Sequence, residues 1–222
     1  MKNNNLHLGR ITEIELRLIF GLIAIAFLNV IIYKSLSVGQ PFGLILLNDV
    51  GIYVYAILLI MTMIFTIIRD RKLLTYSFYT LLSIMTINII LNLFDLIINH
   101  RISDNGQAIV LDATLIWISS LGVFGFWYWI VDRGGPINRA IESKDTRYDL
   151  LFPQYQSTIP GWEKWKPEFW DYVMFSFFTS TGFSPADTLP LSLRVKILMA
   201  IEATISLVII GMVISRALSL IQ

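Results

Sequence analysis

The amino-acid sequence predicts an all-α, polytopic membrane protein with five transmembrane helices and one short re-entrant half-helix and loop. Three observations predict it. The 222-residue chain is 55% hydrophobic and 15% charged, with a mean hydropathy of +0.67, which is more apolar surface than a soluble domain of this length can bury. Five apolar stretches reach the roughly 20 residues that cross a bilayer. A sixth, Trp170–Thr181, falls short of that length.

The first expected span is Leu16–Tyr33. Met1–Arg10 is too polar to form the apolar core of a signal peptide, so this span is expected to be retained. The second runs from about Asp49 to Ile68 and is closed by Arg69-Asp70-Arg71-Lys72. The third, Leu73–Ile98, exceeds the required length and is expected to tilt or protrude. The fourth runs from about Ala113 to Val131, inside the run FWYWIVDRGGP, and the fifth is Leu191–Leu220. Between the last two lies a polar segment, Asp132–Asp171, broken by Gly134-Gly135-Pro136, Pro153, Pro160-Gly161 and Pro167. Its aromatics Phe152, Tyr155, Trp162, Trp165, Phe169 and Trp170 suit a lipid–water interface, as do Trp127, Tyr128 and Trp129. The organisation is a single membrane domain over 1–222: four spans in 1–131, a polar interfacial loop in 132–169, and the half-helix, loop and last span in 170–222.

As a helix, Trp170–Thr181 reaches about 18 Å against a hydrocarbon core of about 30 Å. It either dips into the membrane and returns or lies flat at the surface. A return requires that its backbone be packed in protein or line a wet cavity. Gly182 and Pro185 stop a helix where a return must begin, and Pro190 precedes the start of the last span.

Composition also removes function classes. A net charge of +1 leaves no basic face for nucleic acid, and there is no cysteine. The two histidines, His7 and His100, lack ligand spacing, and no phosphate-cradling GxxxxGK[ST] loop occurs. No catalytic set, metal site or cofactor is expected.

Ionisable and amide groups inside a membrane are costly and usually paired or functional. Ser77, Asn88, Asn92, Asp95 and Asn99 fall within about 60° of one another at 100° per residue. This stripe reads either as a pathway lining or as side-chain bonding between helices. Glu202 lies near the middle of the last span, with Ser206 one turn on and Gly211 beyond, where a second helix can approach or the helix can bend. It must face protein or water, or hold a proton. Asp132-Arg133 either pairs within its turn or with a loop charge, fixing the turn before Gly134-Gly135-Pro136, or is a solvated interfacial pair of little energetic worth, the reading preferred here.

The run Phe175-Ser176-Phe177-Phe178-Thr179-Ser180-Thr181-Gly182-Phe183-Ser184, followed by Asp187-Thr188-Leu189-Pro190 and Glu202-Ala203, resembles the pore helix, filter and inner helix of two-span potassium-type channels. Trp129–Pro136, Phe152-Pro153-Gln154 and Phe183-Ser184-Pro185-Ala186-Asp187 resemble signatures of a widespread, little-characterised family of bacterial integral membrane proteins. The channel resemblance covers about a fifth of the chain and the second about half. Together they imply a re-entrant pore-like loop in the cell membrane, built in a homo-oligomer and passing a monovalent cation. Its filter-like residues would be Thr179, Ser180, Thr181, Gly182, Phe183, Ser184 and Asp187, and Asn88, Asn92, Asp95 and Glu202 are the intramembrane polar candidates. Departures from the channel pattern are explicit. Phe183 stands where tyrosine is expected, and Ser184 replaces the second glycine. Pro185 restricts Ser184 to extended geometry. The resemblance therefore implies either a wider, less selective pore or a non-conducting scaffold that keeps the architecture.

Of the 17 lysines and arginines, all but Lys34, Arg101 and Arg216 fall on the side of the N-terminus and the 132–171 loop when five spans are counted. The positive-inside rule makes that side cytoplasmic.

Overall fold

The computed structural model describes residues 71–100, 106–140, 147–163, 165–182 and 188–219, together with residues 21, 23, 53, 56–58, 60–62, 64 and 68. Most of the expected first and second spans therefore lie outside the described residues, as do Phe183, Ser184, Pro185, Ala186 and Asp187. The chain is mostly helical. In order, the elements are α1 (Arg71–His100), α2 (Gly106–Val131), a 3-10 turn (Asp132–Gly134), α3 (Pro136–Ala140), β1 (Leu150–Leu151), a second 3-10 turn (Pro153–Gln156), α4 (Phe169–Thr181), β2 (Leu189–Pro190) and α5 (Leu193–Ser219). Among the described residues, three helical stretches are long and apolar enough to cross a membrane: Lys72–Ile98, Ile109–Gly134 and Leu193–Ser215. They correspond to the third, fourth and fifth expected spans.

The contacts of the chain divide it into two compact units. One is Leu121–Val208, and the other draws on described residues before and after it. In the latter, α1 buries Leu74, Phe78, Leu81, Leu82, Met85, Ile89, Leu93 and Leu96, a stripe that recurs every three to four residues. Ile109, Ala113 and Ile116 of α2 are also buried. Tyr76, Ile87, Phe94 and Leu111 are exposed, the distribution expected when the surrounding solvent is lipid. The polar stripe on α1 turns largely inward. Ser77, Asn92 and Asp95 are buried, and the Asn92 amide donates to Asn88 Oδ1 at 2.7 Å. That bond runs within one helix. The side chain of Asn99 is outside the described set. Asp112, which periodicity did not single out, is buried as well.

The Leu121–Val208 unit is built around the second half of α2. Val123, Phe124, Phe126, Tyr128, Trp129, Ile130 and Val131 are all buried, and a helix apolar on every side is a buried helix. The interfacial position expected for Tyr128 is thus incorrect, since Tyr128 is fully buried. Phe169 of α4 lies 4.5 Å from Phe126 and 5.3 Å from Trp129 between ring centroids. Phe175 meets Tyr128 edge-on at 4.8 Å. The backbones approach closely at Gly125, where a Cβ would sit 3.0 Å from Val173 Cγ2 and 3.2 Å from Val173 Cα. Phe152, expected at the interface, packs inward against Tyr155, Trp165 and Tyr172, while Trp162 and Trp170 stay exposed.

The start of α5 falls two residues after the expected one, for a local reason. The Leu191 and Ser192 amides both donate to the Asp149 carbonyl, at 2.9 and 3.4 Å. These bonds hold the chain extended alongside β1, which pairs antiparallel with β2 as Leu150↔Pro190 and Leu151↔Leu189. Ser192 then caps α5, its hydroxyl accepting from the Val195 amide at 3.4 Å.

Candidate functional site

Two polar constellations organise the Leu121–Val208 unit. The first closes α2. After Val131 the backbone enters the left-handed region for three residues, Arg133 (φ 52°), Gly134 (φ 70°) and Gly135 (φ 97°). Glycine adopts this region without penalty and arginine does not. Arg133 is held there by two contacts. Its amide donates to Asp149 Oδ2 at 2.9 Å, and its guanidinium lies 4.7 Å from the Tyr148 ring centre. Pro136 starts α3, which returns Arg139 to the end of α2. There Arg139 Nη1 donates to the carbonyls of Trp129 and Asp132 at 2.8 and 2.6 Å, satisfying acceptors that a helix end leaves open.

Asp132 sits at the centre of this turn and is fully buried, which overturns the solvated surface pair and agrees with the alternative in which it fixes the turn. Its Oδ1 accepts from the amides of Asp149 and Leu150 at 3.3 and 3.2 Å. Its Oδ2 accepts from the Tyr172 hydroxyl at 2.7 Å and lies 3.7 Å from Arg139. The sequence suggested Arg133 as the partner, but the left-handed backbone turns that side chain to Tyr148. Asp149 carries the next link, taking a two-pronged bond from Arg194 Nε and Nη2 at 2.7 and 2.6 Å. Burial raises the Asp149 carboxyl, but bonds from Arg194, Ser192 and the Arg133 amide, with the Arg194 charge, outweigh it and hold the carboxyl below its ordinary value. The folded carboxyl being the stronger acid, its stabilisation is present above the unfolded value of about 3.9 and disappears as pH falls through the lower folded value. Arg194→Gln is therefore expected to shrink the loss of thermal stability on acidification below about pH 4. Parallel acid melts of the two proteins that superimpose would refute this.

The second constellation lies deeper, where α2, α4 and α5 meet. Glu202 is fully buried. The Tyr128 hydroxyl donates to its Oε2 at 2.6 Å, and Ser176 Oγ is in hydrogen-bond contact with its Oε1. Ser176 also bonds the Leu121 carbonyl at 3.1 Å. Tyr172, Phe175, Ser176, Thr179 and Ser180 are the buried face of α4, so α4 turns these hydroxyls inward and leaves Trp170, Met174 and Phe178 outside. Sequence reasoning singled out Glu202 but neither of its partners.

The filter-like residues gather at the end of α4. Thr179, Ser180 and Thr181 donate back to carbonyls of their own helix, Thr179 to Phe175 at 2.9 Å, Ser180 to Phe177 at 2.8 Å and Thr181 to Phe177 at 3.1 Å. Gly182 follows in the left-handed conformation (φ 73°), its amide bonded to the Thr179 carbonyl at 3.3 Å. Phe183, Ser184 and Asp187 lie outside the described residues. Asn88, Asn92 and Asp95 belong to the other unit. Outside its own helix, no described residue comes within 4 Å of a Cβ built at Gly211. Among the described residues no group of acidic or histidine side chains has metal-binding geometry. Comparison with protein-family models, with curated proteins and with solved structures gives no match.

Proposed function

We propose that this chain is a five-span membrane protein whose C-terminal part is a potassium-channel-like pore module. In a homo-oligomer it passes monovalent cations with low or altered selectivity, and α4 with the loop after it enters the membrane and returns. The N-terminus and the 132–171 loop face the cytoplasm on this reading, as the basic-residue bias implies. The observation that carries the proposal is the form of α4. Its 13 residues rise only about 20 Å, its hydroxyl face is buried, and it stops at a left-handed glycine. The C-terminal end of a helix carries partial negative charge, which favours a cation beside the Thr179–Gly182 segment. One observation favours the alternative, a non-conducting membrane scaffold. The hydroxyls of Thr179, Ser180 and Thr181 donate to carbonyls within α4, which ties these side chains to their own helix as a packing face would.

Cation flux into proteoliposomes, measured over a panel of monovalent ions, separates the two. Conduction through this loop predicts flux in the wild type and its loss in Gly182→Val. Valine resists φ of 73°, and a Cβ at that site meets no described residue within 4 Å, so the variant acts first by straining the turn. Flux that is unchanged in Gly182→Val shows that the loop is not the filter, and absence of flux in the wild type leaves the scaffold.

A further inference from the structure

Glu202 raises a question of proton count that the pore reading does not answer. Three hydrogen-bond contacts meet around it: Tyr128 hydroxyl to Oε2, Ser176 Oγ to Oε1, and Ser176 Oγ to the Leu121 carbonyl. A serine hydroxyl has one proton to donate. If Glu202 were ionised, Oε1 and the Leu121 carbonyl would both be acceptors competing for that single proton. If the proton sits on Oε1, every contact gains one donor and one acceptor. Glu202 then donates to Ser176, Ser176 donates to the Leu121 carbonyl, and Tyr128 donates to Oε2.

The surroundings agree with the neutral arrangement. Glu202, Ser176 and Tyr128 are all fully buried, and an unpaired charge in such a place is costly. From α2 the titratable group facing the carboxyl is Tyr128, and from α4 the facing group is the Ser176 hydroxyl. Among the described residues no cationic side chain acts on it. On α5 itself the next polar neighbour on the same face is Ser206, one turn away. It is fully buried, and its hydroxyl has no partner among the described residues, so it does not compete for the proton.

We propose that Glu202 is a proton-binding site, and that its protonated carboxyl latches the half-helix α4 to α2 and α5 through Ser176 and Tyr128. Loss of the proton to water leaves a carboxylate facing two hydroxyls and removes the Leu121 carbonyl's bond from Ser176, which loosens α4. This holds whether or not the chain conducts.

The test uses the whole chain in lipid bilayers. Glu202-Ala203 is the only Glu-Ala step in the sequence. Labelling with 13C-glutamate and 15N-alanine therefore identifies the Glu202 side-chain carboxyl by nuclear magnetic resonance without any substitution. The expected result at neutral pH is the carboxyl shift of a protonated acid, moving to that of a carboxylate as pH is raised. A carboxylate signal already present at neutral pH overturns the proposal. The latch is read by amide hydrogen exchange in α4, corrected for the intrinsic effect of pH. Protection is expected to fall in the wild type as the carboxyl signal converts, and to stay constant in Glu202→Gln, which cannot ionise. Protection that does not change in the wild type over that conversion removes the latch.

Discussion

Asp132→Ala is expected to destabilise the Leu121–Val208 unit by about 3–5 kcal/mol, the cost of removing one partner from a buried charge pair. The change leaves four groups without their acceptor. The amides of Asp149 and Leu150 lose Oδ1, the Tyr172 hydroxyl loses Oδ2, and Arg139 loses its carboxylate. Arg139 is itself buried, and its Nη2 already lacks a hydrogen bond among the described residues. Alanine supplies no substitute, and burial keeps water from acting as one. Asp132→Asn is a sharper probe. Its carbonyl oxygen can still accept from the two amides, and its NH2 can donate to the Tyr172 oxygen, so what is lost is the charge opposite Arg139 and the acceptor of the Tyr172 hydroxyl proton. Asn should therefore cost clearly less than Ala. Unfolding in detergent, followed by heat or by a denaturing detergent, reads both variants. An Asp132→Ala protein within about 1 kcal/mol of wild type would show that the turn is held by its backbone alone.

The sequence made α1, α2 and α5 legible because each is a long apolar run, and bilayer thickness sets a length that such runs must meet. It made α4 legible for the opposite reason, since Trp170–Thr181 is too short to cross and is closed by Gly182. The partners of the buried polar groups were not legible. Tyr172 lies 40 residues from Asp132, and Tyr128 lies 74 residues from Glu202. Helical periodicity tells which residues share a face, but not which face meets which.

Some signals were present but pointed elsewhere. Tyr128 and Asp132 are four apart and so share a face of α2, yet the aromatic run around Tyr128 suggested an interface. Asp132-Arg133 suggested a local pair, while the Gly134-Gly135 that follows is what permits the left-handed turn sending Arg133 to Asp149 and Tyr148. Ser176, Thr179 and Ser180 recur at the helical period on α4. The hydroxyls of Thr179 and Ser180 marked a candidate filter, but three of the five residues on that buried face are Ser176, Thr179 and Ser180, which equally marks a face made for a polar partner such as Glu202.

Gly125→Leu is expected to separate α4 from α2 and to cost at least the roughly 1–3 kcal/mol typical of overpacking. Glycine is needed here for space, since Gly125 lies inside a regular helix and its φ is not positive. A Cβ at this position would stand 3.0 Å from Val173 Cγ2 and 3.2 Å from Val173 Cα. The first contact is with a side chain that a rotamer change relieves. The second is with backbone, and only movement of α4 relieves it. Neighbouring contacts depend on that spacing, including the 4.8 Å ring contact of Phe175 with Tyr128 and the Ser176–Glu202 hydrogen bond. Displacing α4 therefore strains the ring packing and the polar cluster together. Gly125→Ala isolates the cause. It should be destabilised to a lesser degree, and Val173→Ala in the same chain should recover only the part due to Cγ2, leaving the clash with the backbone. Full recovery in that double variant would mean that the contact is between side chains alone, and an undiminished melting temperature in Gly125→Leu would mean that α4 does not depend on close approach at this glycine.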